Sequence, residues 1–187
     1  LICSNNVNIS ILNVSNLTLL TELRLGNCNV SNLDTILLIN LISIDCSDND
    51  IDSLVLNSNS LSIAICHTNA MSSLNIDTCV NISQLYAYSN SYNSIDLSNN
   101  TGVSLLFLHN NSLTDLDISN NPLINFLQVH TNQLDNLVNS QLLIDLDAHG
   151  LSSGYFRSSI FGGGALTTAG ATAKANLQGK GWTIVGI

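Results

Sequence analysis

Rings recur at a fixed offset in this chain, and they are the side chains best equipped for recognition chemistry. His67, Tyr88, His109 and His130 follow one another at intervals of 21 residues, and Ile65, Tyr86 and Phe107 share that interval two positions earlier. Gln128 precedes His130 in the same way, and Phe126 stands two residues before Gln128. Imidazoles can ligate a transition metal, while phenol and phenyl rings can cover an apolar partner or pack on a sugar. No third ligand at a clear spacing accompanies His109 and His130, so they read as hydrogen-bonding surface histidines. Asp45, Asp48, Asp50 and Asp52 form the densest acid cluster and are the calcium candidates. Their spacing is not that of a helix-loop-helix site, and Asp-rich turns are ordinary in such a chain. No nucleophile, base and orienting acid occur in order, and Gly162–Gly164 lacks the lysine of a phosphate loop. The expectation is therefore a non-catalytic protein without a cofactor.

What would position the rings is a repeat. Leu41, Ile44, Cys46, Asn49 and Ile51, then Leu54 and Leu56, return as Leu61, Ala64, Cys66, Asn69 and Met71, then Leu74 and Ile76. Taking the polar residue after the first apolar pair as marker, Cys28, Asn49, Asn69, Asn90, Asn111 and Asn132 follow at steps of 21, 20, 21, 21 and 21. Apolar residues alternate with polar ones before each marker, which is strand spacing with one face buried. One such coil cannot bury its apolar side alone, whereas stacked coils share a core. Asn49, Asn69, Asn90, Asn111 and Asn132 are expected to form a structural ladder, each amide bonding backbone groups at the turn. Successive strands should then lie about 4.8 Å apart in a parallel sheet, with the rings in columns on its outer face. So short a repeat leaves no room for a helix behind, and an extended, turn-like back is expected.

A fixed period with this content is that of a leucine-rich repeat. The pattern Leu41-x-x-Ile44-x-Cys46-x-x-Asn49-x-Ile51-x-x-Leu54 resembles the short bacterial form found in cysteine-ladder internalins and related surface proteins. The resemblance covers residues 9 to 149. Only Cys46 and Cys66 keep the ladder cysteine, with Ala87, Leu108 and Val129 in its place later. The ending from Thr172 to Ile184 is similar to endings of repeat proteins in environmental bacteria and tailed phages. Family membership implies adhesion or receptor recognition and no catalysis.

Residues 1–149 are thus expected to hold the repeats and residues 150–187 a loop and cap. Ile144 and Leu146 are expected to form a last strand, with His149 in the marker position. Gly150–Gly164 reads as a loop anchored by Tyr155, Phe156, Ile160 and Phe161. Leu166, Ala169, Ala173 and Leu177 have helix spacing, and Trp182 and Ile184 alternate as a strand. The pattern weakens before Cys28, and an N-terminal cap is not visible. A preceding coil, domain or subunit is the expectation there, because an open solenoid end exposes core.

Composition narrows the partner. The chain is 45% hydrophobic but only 9% charged, so amides and hydroxyls must supply its polar surface. A net charge of −9 argues against nucleic acid and against an anionic membrane surface. The apolar runs are too short to insert in a bilayer. The five cysteines are odd in number, and Cys46 and Cys66 occupy inward positions, so free thiols in the core are expected. The reading is a leucine-rich-repeat solenoid that binds a protein or glycan through its strand face on a bacterial or phage surface. The alternative is a stalk or filament subunit that self-associates through its N-terminal end.

Overall fold

The computed structural model describes residues 1–187. Strands of three residues recur once per coil: β1 (Glu22–Arg24), β2 (Ser43–Asp45), β4 (Ile63–Ile65), β6 (Gln84–Tyr86), β7 (Leu105–Phe107) and β8 (Phe126–Gln128). They pair in parallel and in register, with Leu23, Ile44, Ala64, Leu85, Leu106 and Leu127 side by side and each fully buried. Two short strands at the back, β3 (Ser53–Val55) and β5 (Ser73–Asn75), make a second parallel pair, and the rest of the back is extended or turned. A single cluster of 41 buried residues fills the space between the two faces along the whole stack.

The marker amides hold each coil to its neighbour. Asn49, Asn69, Asn90, Asn111 and Asn132 each donate through Nδ2 to a carbonyl of the preceding coil: Leu25, Cys46, Cys66, Ala87 and Leu108 respectively. Each Oδ1 accepts from a backbone N–H of that same coil, those of Val30, Ile51, Met71, Tyr92 and Leu113. One side chain therefore satisfies a donor and an acceptor that the departing strand leaves unpaired. A second polar file lies at the back turn, where Ser58, Cys79, Asn100 and Asn121 donate to carbonyls of the coil before, those of Ile39, Leu56, Ile76 and Leu97.

The residue before each marker is left-handed: Asn27, Asp48, Thr68, Ser89, Asn110 and Thr131 have φ between 52° and 57°. For Thr68 and Thr131 the β-branch makes this a strained conformation, held by bonds on either side. The same turn occurs at the start of the chain, where Asn5 has φ 63° and Asn6 donates to the carbonyls of Cys3 and Ser4. Ile2 bridges Arg24 in parallel, so the first residues lie where the strand of an earlier coil would.

The C-terminal part differs from the sequence reading. Ile144 and Leu146 do not form a strand, because residues Asn136–His149 are helix α1. Asp135 caps it, its Oδ1 accepting from Leu137 and Val138 N–H at 2.8 and 2.9 Å, and Gly150 ends it at φ 77°. Buried Asn139, Leu142, Leu143 and Leu146 are its inner face. Tyr155–Arg157 is no loop: it is strand β9, paired with β8 in the register of an ordinary coil and burying Phe156. Phe161, expected as an anchor, is 57% exposed.

Helix α2 (Thr168–Gly179) and strand β10 (Thr183–Val185) then close the stack, β10 extending the sheet beyond β9. Ala169 faces solvent, and Gly170, Ala173 and Leu177 are the buried residues of α2. Gly170 allows the two helices to touch, since a Cβ there would lie 2.6 Å from Ser140 Cβ. Asp147 pairs with Lys180 at 2.5 Å and accepts from Asn176, tying the end of α1 to the end of α2. Trp182 is buried with its Nε1 donating to the Leu151 carbonyl.

Candidate functional site

Alternation in each strand sends one residue inward and its two neighbours out, so eight parallel strands make continuous outward columns. In one column Asp45, Ile65, Tyr86, Phe107, Gln128 and Arg157 are direct register partners. In another, Ile63, Gln84, Leu105, Phe126 and Tyr155 are. The third column lies just past the strands and contains His67, Tyr88, His109 and His130, so the ring residues singled out in the sequence stand together on one face.

These rings stack on one another. His67 and Tyr88 have centroids 4.3 Å apart with planes within 11°, Tyr88 and His109 are at 4.4 Å and 10°, and His109 and His130 at 4.6 Å and 7°. Tyr86 stacks on Phe107 at 4.7 Å, and Phe107 meets Phe126 at 5.0 Å with planes tilted by 32°. Strand spacing explains the distances, because register partners about 4.8 Å apart can hold parallel rings without adjustment. The consequence is chemical: the faces of the inner rings are occupied by neighbours, and edges meet solvent. Every one of these rings is half-buried.

Burial keeps the imidazoles neutral. The pKa of His109 falls to about 4, chiefly from desolvation and then from the neighbouring His130, Arg157 and His67. Desolvation also lowers His130, with Arg157 adding to it. His67 lies 4.0 Å from an Asp48 carboxylate oxygen, which would favour imidazolium, yet desolvation outweighs that attraction and its pKa is lowered too. At neutral pH the contact is thus between a carboxylate and a neutral ring. The Nδ1 atoms of His109 and His130 are buried with no hydrogen-bond partner in the chain, while His67 Nδ1 lies 3.0 Å from Thr68 Oγ1.

Sequence reasoning missed two members of this face, Tyr155 and Arg157. Tyr155 stacks on Phe126 at 4.7 Å, and Arg157 stands in register with Gln128. The signal was the out-in-out order of Tyr155-Phe156-Arg157. Helix α1, inserted between β8 and β9, lengthens that interval to 29 residues and hides it from a 21-residue count.

The acid cluster does not assemble as a calcium site. No three His, Cys, Asp or Glu side chains are placed to hold one metal ion. Asp45 sits on the strand face with Oδ1 accepting from Ser47 N–H and Oγ, whereas Asp48 lies at the left-handed turn and Asp50 and Asp52 are exposed on the departing segment. The cysteines are free, and Cys46 and Cys66 are fully buried on the inner side. Desolvation pushes the Cys66 thiol up to about 12 and that of Cys46 well above its usual value, so neither is a nucleophile at neutral pH.

No protein-family profile matches the chain, and no curated protein does. Among solved structures, the functional domain of InlJ from Listeria monocytogenes, described as including a cysteine ladder, superposes with a TM-score of 0.50 at 19% identity. The likeness covers 86% of this chain but 44% of that one, so the chain spans under half of that domain's length. The internalin InlF from Listeria monocytogenes gives a TM-score of 0.48 at 13% identity, over 91% of this chain and 75% of that one. Neither is a phage protein. The chain therefore has the leucine-rich-repeat solenoid fold of the internalins, with a helix-and-strand cap at its C-terminal end.

Proposed function

We propose that this protein is a non-catalytic recognition module that binds a protein at a bacterial surface through the ring columns of its strand face. The carrying observation is the unbroken stack from His67 to His130 beside Tyr86, Phe107 and Phe126. A rigid sheet presents these half-buried ring edges at positions the fold itself does not need for its core, and aromatic residues are enriched where proteins meet. Protein suits the face better than glycan. Sugars pack on the open faces of rings, and here neighbouring rings occupy those faces. The resemblance of the repeat to surface proteins supports the location, and no helix of the chain is long and apolar enough to cross a membrane. Replacing Tyr86, Tyr88 and Phe107 by Ser tests this reading. Capture of a partner from a panel of purified surface proteins should be lost while circular dichroism stays unchanged; undiminished capture refutes it.

A second reading rests on a different observation. Leu1, Ile2, Val7, Ile11 and Leu19 are exposed on the first coil, an apolar surface suited to end-to-end assembly into a stalk. Light scattering over a range of concentrations separates the two, since a monomer throughout counts against assembly.

A further inference from the structure

The ring face is electrically lopsided. The chain has four lysines and arginines. Arg24 is paired with Glu22, Lys180 with Asp147, and Lys174 donates to the Ile187 carbonyl. Arg157 alone makes no ion pair or side-chain hydrogen bond within the chain, and it is exposed on β9 in the column that contains Tyr86 and Phe107, with uncharged Val185 of β10 beyond it. On β2 in that column stands Asp45, with Asp48 at the adjoining turn; its register neighbour on β1 is Arg24, whose guanidinium is held by Glu22. Between them lie Ile65, Tyr86, Phe107 and Gln128, none of them charged.

Resting on the recognition reading above, we propose that the face takes an extended segment of a partner protein lying along the solenoid axis. The segment carries an apolar middle, a basic side chain for Asp45 and Asp48 at one end, and a carboxylate for Arg157 at the other. Arg157 is suited to that role because a guanidinium grips a carboxylate with two parallel bonds, and an arginine beside aromatic rings is a frequent anchor of protein interfaces. Length follows from the register. Asp45 and Arg157 are five strand steps apart, roughly 24 Å at about 4.8 Å per step, which an extended chain covers in about seven residues.

The test uses the full chain and three labelled peptides of about eight residues with capped ends and one apolar-aromatic middle. Their terminal charges are Lys and Glu, Lys and Lys, or Glu and Glu. Fluorescence polarisation should show the Lys/Glu peptide binding about tenfold tighter than either of the others. Simple attraction to a body of charge −9 would instead favour the Lys/Lys peptide. Arg157→Glu should invert the preference to Lys/Lys, a gain that damage to folding cannot produce. Equal binding of all three peptides, a Lys/Lys preference in the unaltered protein, or no binding at millimolar concentration would overturn the proposal. Phe107→Ser separates the two levels of argument. If it weakens all peptides while their charges make no difference, the ring face stands and the polarity falls. If it changes nothing, the ring face itself falls.

Discussion

Replacing Asn132 by Ala removes one of the buried amides that join coils. Its Oδ1 accepts from Leu113 N–H at 2.9 Å, and its Nδ2 donates to the Leu108 and Val129 carbonyls, both at 2.9 Å. The Leu108 carbonyl keeps a second donor in Asn111 Nδ2 at 3.0 Å. Two groups are then stranded in the interior, the Leu113 N–H and the Val129 carbonyl. Each unsatisfied buried group costs about 1–3 kcal/mol, so a loss of roughly 2–4 kcal/mol is expected after partial relaxation. That is a large share of the ~5–15 kcal/mol typical of a folded domain. Urea unfolding followed by circular dichroism gives the number, with exposed Asn99→Ala as a control expected within about 0.5 kcal/mol of the unaltered protein. Asn132→Asp sharpens the argument. A carboxylate can still accept from Leu113, but its second oxygen confronts two carbonyls, so at neutral pH it should be worse than Ala. An Asn132→Ala midpoint indistinguishable from that of Asn99→Ala would refute the reasoning.

Three further outcomes are expected. The depressed pKa of His109, about 4 in the fold against about 6.5 unfolded, means the unfolded chain binds the proton first. Stability should therefore fall as pH drops from 6.5 towards 4, by an amount on the order of 1–2 kcal/mol after allowance for solvent screening, with His67 and His130 adding in the same direction. Urea midpoints at pH 7 and pH 4.5 should differ less in His109→Asn, and an equal difference would contradict the assignment. Brief alkylation of the native protein, read by peptide mass, should modify only half-buried Cys3, while labelling of Cys46 or Cys66 at the unfolded rate would contradict their burial. Gly170→Ala should destabilise the protein by about 1–3 kcal/mol through the clash with Ser140, and an unchanged urea midpoint would show that the helices can part at no cost.

The stack was legible in the sequence because every coil repeats the same burial problem at the same interval. Leu23, Ile44, Ala64, Leu85, Leu106 and Leu127 differ in size but share a position, and the period shows through the substitutions. The ring columns were legible for the same reason, since register in a parallel sheet fixes which side chains are neighbours. Periodicity misled where the chain leaves the repeat. Ile144 and Leu146 are two apart, as in a strand, yet Leu142, Leu143 and Leu146 also lie on one side of a helix, and capping by Asp135 and Gly150 decides between the two. Once that helix intrudes, the spacing to Tyr155 no longer announces another rung. The left-handed turns at Thr68 and Thr131 were not legible at all, because threonine gives no hint of positive φ and only the bonds around it impose that conformation. In α2, Ala169 and Ala173 look alike in the sequence, and the place where Gly170 meets Ser140 selects which side turns inward.

Hydrogen–deuterium exchange of the protein with and without a captured partner tests the central claim most directly. The account predicts slowed exchange in residues 84–88, 105–109 and 126–130, where the ring-bearing strands and their following turns lie, with the back strands Ser53–Val55 and Ser73–Asn75 unchanged. Protection centred on the back strands, or on Leu1–Leu20 with the ring strands unaffected, would contradict it.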